Sequence, residues 1–341
     1  MPLTASERAA TVDWIAAVQL ADGMVPWFPG GHADPWNHVE AAMALTVGGR
    51  LAEAHRAFEW LVAHQRPDGA WHQYYVAGPA GATVEVALLD ANVTAYVATG
   101  VWHHTLATGD AGFAEAMWST VEAAMGFVLG LQQPGGEVLW ARHADGTPWT
   151  FALLTASSST AMSLRCGAAL AHRLGRDRPR WEAAAARLAR AVAHRPGAFL
   201  PKDRWSMDWY YPVLTGAVTG DEAARRMDRG WDRFVMDGLG VRCVSDRPWV
   251  TAAETCEAAM ACVTAGRLPA ARELFGWAAH LRHDDGSYFT GMVHPDRAHF
   301  PAGERSTYSA AAAVLAADAI DGRGPASALF RPGSVTVAGP S

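Results

Sequence analysis

One pattern recurs four times along this chain and constrains its fold more than any other feature. It is an aromatic residue, a Gln or Arg five positions on, an Asp or Gly three further, and a Gly immediately after. The copies are Trp14–Gln19–Asp22–Gly23, Trp60–Gln65–Asp68–Gly69, Phe127–Gln132–Gly135–Gly136 and Trp277–Arg282–Asp285–Gly286. A second aromatic follows each copy: Trp27, Trp71, Trp140 and Tyr288. Each unit reads as a helix that packs an aromatic inward, ends at a glycine turn and opens into an aromatic-rich loop. Trp14, Trp60 and Trp277 are therefore expected in the core. Recurrence of a unit that cannot bury its own apolar face is the mark of a stacked repeat architecture.

Alanine-rich segments with helical periodicity fill the spaces between these turns. They make twelve helices in six pairs. The first helix of each pair is predicted near 5–20, 51–65, 111–132, 179–194, 221–236 and 268–282, and the second near 35–48, 91–108, 158–174, 208–219, 251–265 and 305–320. The first set carries more charge and should face solvent. The second is apolar and small, as in Glu40–Leu45 and Ala310–Ala319, and should be buried on most sides. The fold class expected is all-α, a single (α/α)6 toroid over residues 1–322, with a loosely ordered tail over 323–341. Strands are expected only near 70–76 and 137–142.

Composition removes whole classes of function. With 50% apolar and 18% charged residues among 341, the chain is globular, and its net charge of −6 offers no basic surface for nucleic acid. No apolar stretch reaches the length of a membrane span. The four cysteines, Cys166, Cys243, Cys256 and Cys262, have no paired metal spacing, which predicts a reducing compartment. The first helix carries Asp13 and Gln19 and does not read as a signal peptide. The expectation is a cytoplasmic protein without cofactor, metal or membrane partner, its oligomeric state left open.

The connections from first to second helix are long and rich in Trp, Tyr, His, Asp and Glu, whereas the returns are short. That asymmetry puts the chemistry at one end of the ring, where the second helices begin. Carboxylates at those starts are Asp34, Glu40, Asp90, Asp208, Glu254 and Glu304. Glycoside hydrolysis needs two such groups. Asp34 and Asp90 also suit helix N-caps, and so does Asp208. Glu254 lies a turn inside an apolar helix, so it is the expected general acid, with Asp90 ahead of Asp208 and Asp34 as base or nucleophile. Sugar contacts are expected from Trp36, His38, Glu40, Trp71, Tyr74, Tyr75, Trp209, Tyr210, Tyr211, Trp249, Arg305 and Tyr308, since flat aromatic faces stack on sugar rings.

The repeats resemble those of prenyltransferases and squalene-type cyclases, but the chain has no DxDD motif, and Cys243 with Asp246 is a poor match to the prenyltransferase zinc site. A second resemblance rests on Asp34-Pro-Trp-Asn-His-Val-Glu40, Met207-Asp-Trp-Tyr-Tyr-Pro212 and Glu304-Arg-Ser-Thr-Tyr308. In these segments the chain is similar to a set of actinobacterial six-hairpin toroid proteins labelled prenyltransferase-like and associated with methylmannose polysaccharide metabolism in mycobacteria. That resemblance implies an endo-acting α-mannosidase on cytoplasmic α-1,4-linked 3-O-methylmannose chains. The residues by themselves leave other classes open: a terpenoid cyclase-like protein, a sugar lyase or epimerase using Arg305 and Tyr308, or a non-catalytic glycan or lipid binder.

Overall fold

In a computed structural model, which describes residues 3–79 and 81–331, the chain forms twelve α-helices. They are α1 (Ala5–Val18), α2 (Pro35–Val47), α3 (Leu51–His64), α4 (Ala91–Thr108), α5 (Ala111–Leu129), α6 (Leu154–Arg173), α7 (Pro179–His194), α8 (Met207–Leu214), α9 (Gly220–Phe234), α10 (Ala252–Thr264), α11 (Leu268–Trp277) and α12 (Thr307–Asp321). The even-numbered helices touch in sequence order, and α12 returns to touch α2, which closes an inner ring. The odd-numbered helices pack outside it. This is the (α/α)6 toroid. Every residue of α10 from Ala252 to Val263 is buried, and so is α12 from Thr307 to Ala317, as an inner ring requires.

The repeated Gln is a clamp between neighbouring outer helices. Gln19 Nε2 donates to its own turn at Gly23 O (3.0 Å) and to Glu53 O of α3 (2.9 Å). Gln65 does the same to Gly69 O (3.0 Å) and Thr120 O of α5 (2.9 Å), and Gln132 to Gly136 O (3.0 Å) and Ala184 O of α7 (2.9 Å). Arg282 reaches Glu7 O of α1 at 3.3 Å. The turn glycine is needed for two reasons. Gly69 has φ +88°, and a Cβ there would lie 2.2 Å from Ala123 O. The pattern is thus a device for stacking hairpins. Of the three tryptophans expected in the core, Trp60 is fully buried, whereas Trp14 and Trp277 are partly buried and pack against it.

Three expectations need correction. Strands are more numerous than expected. A hairpin, β1 (Tyr74–Gly78) with β2 (Gly81–Val86), and a short pair, β3 (Leu89–Asp90) with β4 (Ala141–Arg142), fall near the expected places. A five-stranded antiparallel sheet lies outside the expectation: β5 (Val235–Met236), β6 (Gly240–Arg242), β7 (Trp249–Thr251), β8 (Gly291–Val293) and β9 (Ala298–His299), in that order. Strands of two or three residues carry no readable alternation. They form because two long connections satisfy their backbone groups on each other. Next, α8 stops at Leu214 instead of continuing to 219, because Gly216 turns the chain at φ +67°. Finally, the part of the expected loose tail that is described packs back: Pro325–Phe330 is a 3-10 helix against α4, α10 and α12, with Leu329 and Phe330 buried. Residues 332–341 lie outside the described residues. No described helix is long and apolar enough to cross a membrane.

Candidate active site

All six inner helices start at one end of the ring, fed by the long connections. A cavity of about 330 Å³ opens there, lined from the starts of α2, α4, α6 and α8. Three carboxylates reach it: Asp34, Asp90 and Asp208. Its aromatic wall is Trp27, Trp36, Tyr74, Trp140 and Trp205, and Lys202 stands at one side.

Local structure fixes each carboxylate. Asp34 caps α2, with Pro35 as first helical residue; its oxygens accept from the Asn37 backbone N–H at 2.9 Å and from the Asn37 amide. Asp90 caps α4: Oδ1 accepts from Asn92 N (2.7 Å) and Val93 N (3.0 Å). The β3–β4 ladder and the bond from Ala91 N to Trp140 O (2.8 Å) carry Trp140 over this cap, where its indole N–H donates to Asp90 Oδ2. Asp208, in the first turn of α8, accepts at Oδ1 from the Thr155 hydroxyl at 2.7 Å. Its backbone carbonyl is held by the guanidinium of Arg226 at 2.6 Å.

Burial dominates the electrostatics. It pushes Asp90 up to about 6 against the three hydrogen bonds that favour its anion, and it raises Asp34 and Asp208 as well. At each of these helix starts burial works against the N-terminal field. A carboxyl raised to about 6 holds its proton up to mildly acidic pH. Glu254 sits in the first turn of α10, 8% exposed, beside the Cys243 thiol and the Glu257 carboxyl, and does not line the cavity.

Of the expected sugar contacts, Trp36 and Tyr74 line the cavity. Several others do not. His38 is fully buried, its Nδ1 accepting from Val25 N (3.1 Å) and its Nε2 donating to Ala57 O (2.8 Å), and burial pushes it down to about 4. Trp71 donates to Leu61 O inside the core, and buried Tyr75 ties its hydroxyl to His72 N. Trp209 packs on Phe234 and donates to Arg226 O; Trp249 stands against Phe300 on the sheet. Arg305 is ion-paired with Asp285 at 2.6 Å outside the ring. In each case an aromatic or basic residue near a helix start is tied to a neighbouring helix or connection. Glu304 holds the Trp27 indole at 3.2 Å and the Thr290 hydroxyl at 2.7 Å.

A second layer lies deeper. Glu40 and Glu257 are each the sixth residue of their helices, about 9 Å down the axis from the caps. Glu257 accepts from the hydroxyls of Tyr211 and Tyr308, both at 2.9 Å, and from that of Tyr210. Glu40 Oε1 accepts from Tyr96 (3.1 Å) and Trp36 Nε1 (3.2 Å), and its Oε2 has no hydrogen-bond partner among the described residues. Burial raises both carboxyls, Glu257 to about 8. Sequence reasoning missed Glu257 and Tyr96 as site residues. The signal was present for Glu257, since a charge inside an otherwise apolar helix is the same argument that singles out Glu254. Lys202 comes from the connection between α7 and α8, where no periodicity points to the cavity.

No family model matches the chain. It is 51% identical over 329 residues, 96% of its length and 90% of the relative's, to a protein of Mycolicibacterium hassiacum named MMP endo-(1,4)-3-O-methyl-alpha-D-mannosidase. Among solved structures it is similar to a glycosidase in complex with glucose (TM-score 0.72, 14% identity, 93% of this chain and 96% of that one). It is also similar to the GH63 mannosylglycerate hydrolase of Thermus thermophilus (TM-score 0.69, 13% identity, 91% and 99%). At these identities the structural likeness bears on the fold.

Proposed function

The chain belongs to the family of MMP endo-(1,4)-3-O-methyl-α-D-mannosidases and is a glycoside hydrolase; from that premise we propose that it cleaves internal α-1,4 bonds of a 3-O-methylmannose polysaccharide. The observation that carries the reading at the level of chemistry is the convergence of Asp34, Asp90 and Asp208, from three different inner helices, on one aromatic-walled cavity. Indole faces and a sparse set of charges suit a sugar polymer capped with methyl groups. A second cavity of about 550 Å³ adjoins the first at Lys202 and Asp208, which line both. That gives a bound chain room to extend past the reacting unit, as an endo-acting enzyme requires. Four unpaired buried cysteines support a cytoplasmic setting.

Asp90 is the proposed general acid. With its carboxyl raised to about 6, it gives its proton to the glycosidic oxygen as that bond breaks. The partner is a carboxylate that activates water or attacks the sugar carbon. Asp208, which lines the cavity, is the first candidate; Glu254, on the inner helix opposite α4 but outside the cavity lining, is the alternative. Asp34, whose oxygens both accept from Asn37, is the third carboxylate on the cavity wall.

The test is incubation with α-1,4-linked 3-O-methylmannose oligomers, read by mass spectrometry. Shorter oligomers from internal cuts are expected, each pair summing to the mass of the substrate plus one water. An unsaturated product would make the protein a lyase, and unchanged oligomers would make it a binder. Asp208→Asn and Glu254→Gln then identify the second carboxylate: the one acting as base or nucleophile loses roughly 10²–10⁴-fold, an order-of-magnitude expectation for acid–base assistance.

A further inference from the structure

We propose that Glu40 and Glu257 are positioning residues, a buried carboxyl pair beneath the sugar cavity that holds two of its tryptophan walls, Trp36 and Trp27, through the tyrosines of three other helices. The proposal rests on the glycosidase reading for its substrate and goes beyond it in assigning the floor of the cavity.

The geometry is a chain of contacts across the ring. Trp36 donates its indole N–H to Glu40 Oε1 at 3.2 Å, and Tyr96 of α4 donates to the same oxygen at 3.1 Å. The Tyr96 and Tyr211 rings each stand 5.8 Å from the Trp36 ring, edge to face. Tyr211 of α8 and Tyr308 of α12 both donate to Glu257 Oε1 at 2.9 Å, and the Tyr308 ring lies 5.2 Å from the Trp27 ring. Trp36 is therefore fixed on its nitrogen by one glutamate and on its face by a tyrosine bound to the other. Trp27 has a second anchor in Glu304, so it depends less on the pair.

Stability alone gives no reason to keep this arrangement. Glu40 is 3% exposed and Glu257 1%, and Glu40 Oε2 has no hydrogen-bond partner among the described residues. A buried acceptor left unmade costs free energy, and an apolar core of the same volume is as stable or more so. What an apolar replacement could not do is accept from an indole and a phenol at once and so set the orientation of the cavity wall.

The experiment compares Glu40→Leu with Glu40→Gln, which keeps an acceptor oxygen. With the oligosaccharide as substrate, Glu40→Leu is expected to raise KM roughly tenfold with kcat within about twofold, and Glu40→Gln to restore most of the loss. Near-ultraviolet circular dichroism, which reads immobilised indoles without any substrate, should lose intensity in Glu40→Leu and keep it in Glu40→Gln. Far-ultraviolet spectra and melting show whether each variant folds. If Glu40→Leu folds poorly, Glu257→Gln, which keeps acceptance from Tyr211 and Tyr308, takes its place and should preserve KM and spectrum. A folded Glu40→Leu with unchanged KM and near-ultraviolet signal overturns the proposal, and so does a Glu40→Gln or Glu257→Gln as impaired as Glu40→Leu. Failure of the wild type to cleave the oligomer would overturn the glycosidase reading instead, and the spectral comparison would still decide this one.

Discussion

The indole N–H of Trp140 donates to Oδ2 of Asp90, the carboxylate whose Oδ1 caps α4. One residue thus begins a helix, faces the cavity and accepts from an aromatic of the next hairpin. The hydrogen bond favours the anion, so it restrains how far burial lifts Asp90 above its ordinary range. Trp140→Phe removes the donor and keeps an aromatic. Asp90 should then titrate above its present value of about 6, moving the alkaline limb of the kcat/KM profile upward by about one unit. The measurement is the pH–rate profile of both proteins.

Asp90→Asn should nearly abolish turnover, by roughly 10²–10⁴-fold, without unfolding the protein. Asn caps helices as well as Asp, so the start of α4 keeps its hydrogen-bond acceptor. Initial rates and calorimetric binding of the oligosaccharide separate the two effects: binding is expected to persist while cleavage disappears.

Glu257 makes stability depend on pH. Its folded value of about 8 stands above the ordinary 4.5 because burial, reinforced by the neighbouring Glu254, disfavours the charge. The stabilisation it permits is complete below 4.5 and is lost as pH rises toward 8, because only the unfolded chain releases the proton across that window. Asp90 adds a decline between 3.8 and about 6. The melting temperature should therefore fall from about pH 5 to about pH 8, and Glu257→Gln, which cannot ionise, should flatten that fall.

The clamp predicts a stability effect remote from the site. Gln65→Ala strips donation from the Gly69 and Thr120 carbonyls and should destabilise by about 1–3 kcal/mol. Gly69→Ala should cost at least as much, since it adds a Cβ 2.2 Å from Ala123 O at a left-handed position. Both are read as denaturant midpoints, with activity per folded molecule unchanged.

Trp205 is 38% exposed at the cavity. Trp205→Ala should raise KM by roughly three- to tenfold, the loss of an aromatic contact of about 0.5–1.5 kcal/mol, with the folded structure intact. Steady-state kinetics on the oligosaccharide check it.

The amino-acid sequence by itself determined the toroid. A glutamine that reaches the next hairpin and a glycine that lets its backbone approach are local choices, repeated at identical offsets, and periodicity reports the helices between them. It also placed Asp34, Asp90 and Asp208 at helix starts on one end; Asp34 and Asp90 do so as N-caps, a local property, whereas Asp208 is not the expected cap but the second residue of α8, behind Ser206. Only the tertiary structure decided how far each is desolvated, since Asp90's raised value comes from burial and is restrained by Trp140, fifty residues away. The same holds for the residues that left the site. His38, Trp71 and Arg305 have the side chains a sugar site would use, but their partners, Ala57, Leu61 and Asp285, lie on neighbouring elements. Glu257 and Tyr96 joined the floor for the converse reason: side-chain period reports that a helix face is buried, but which faces meet around a ring depends on all six pairs closing at once.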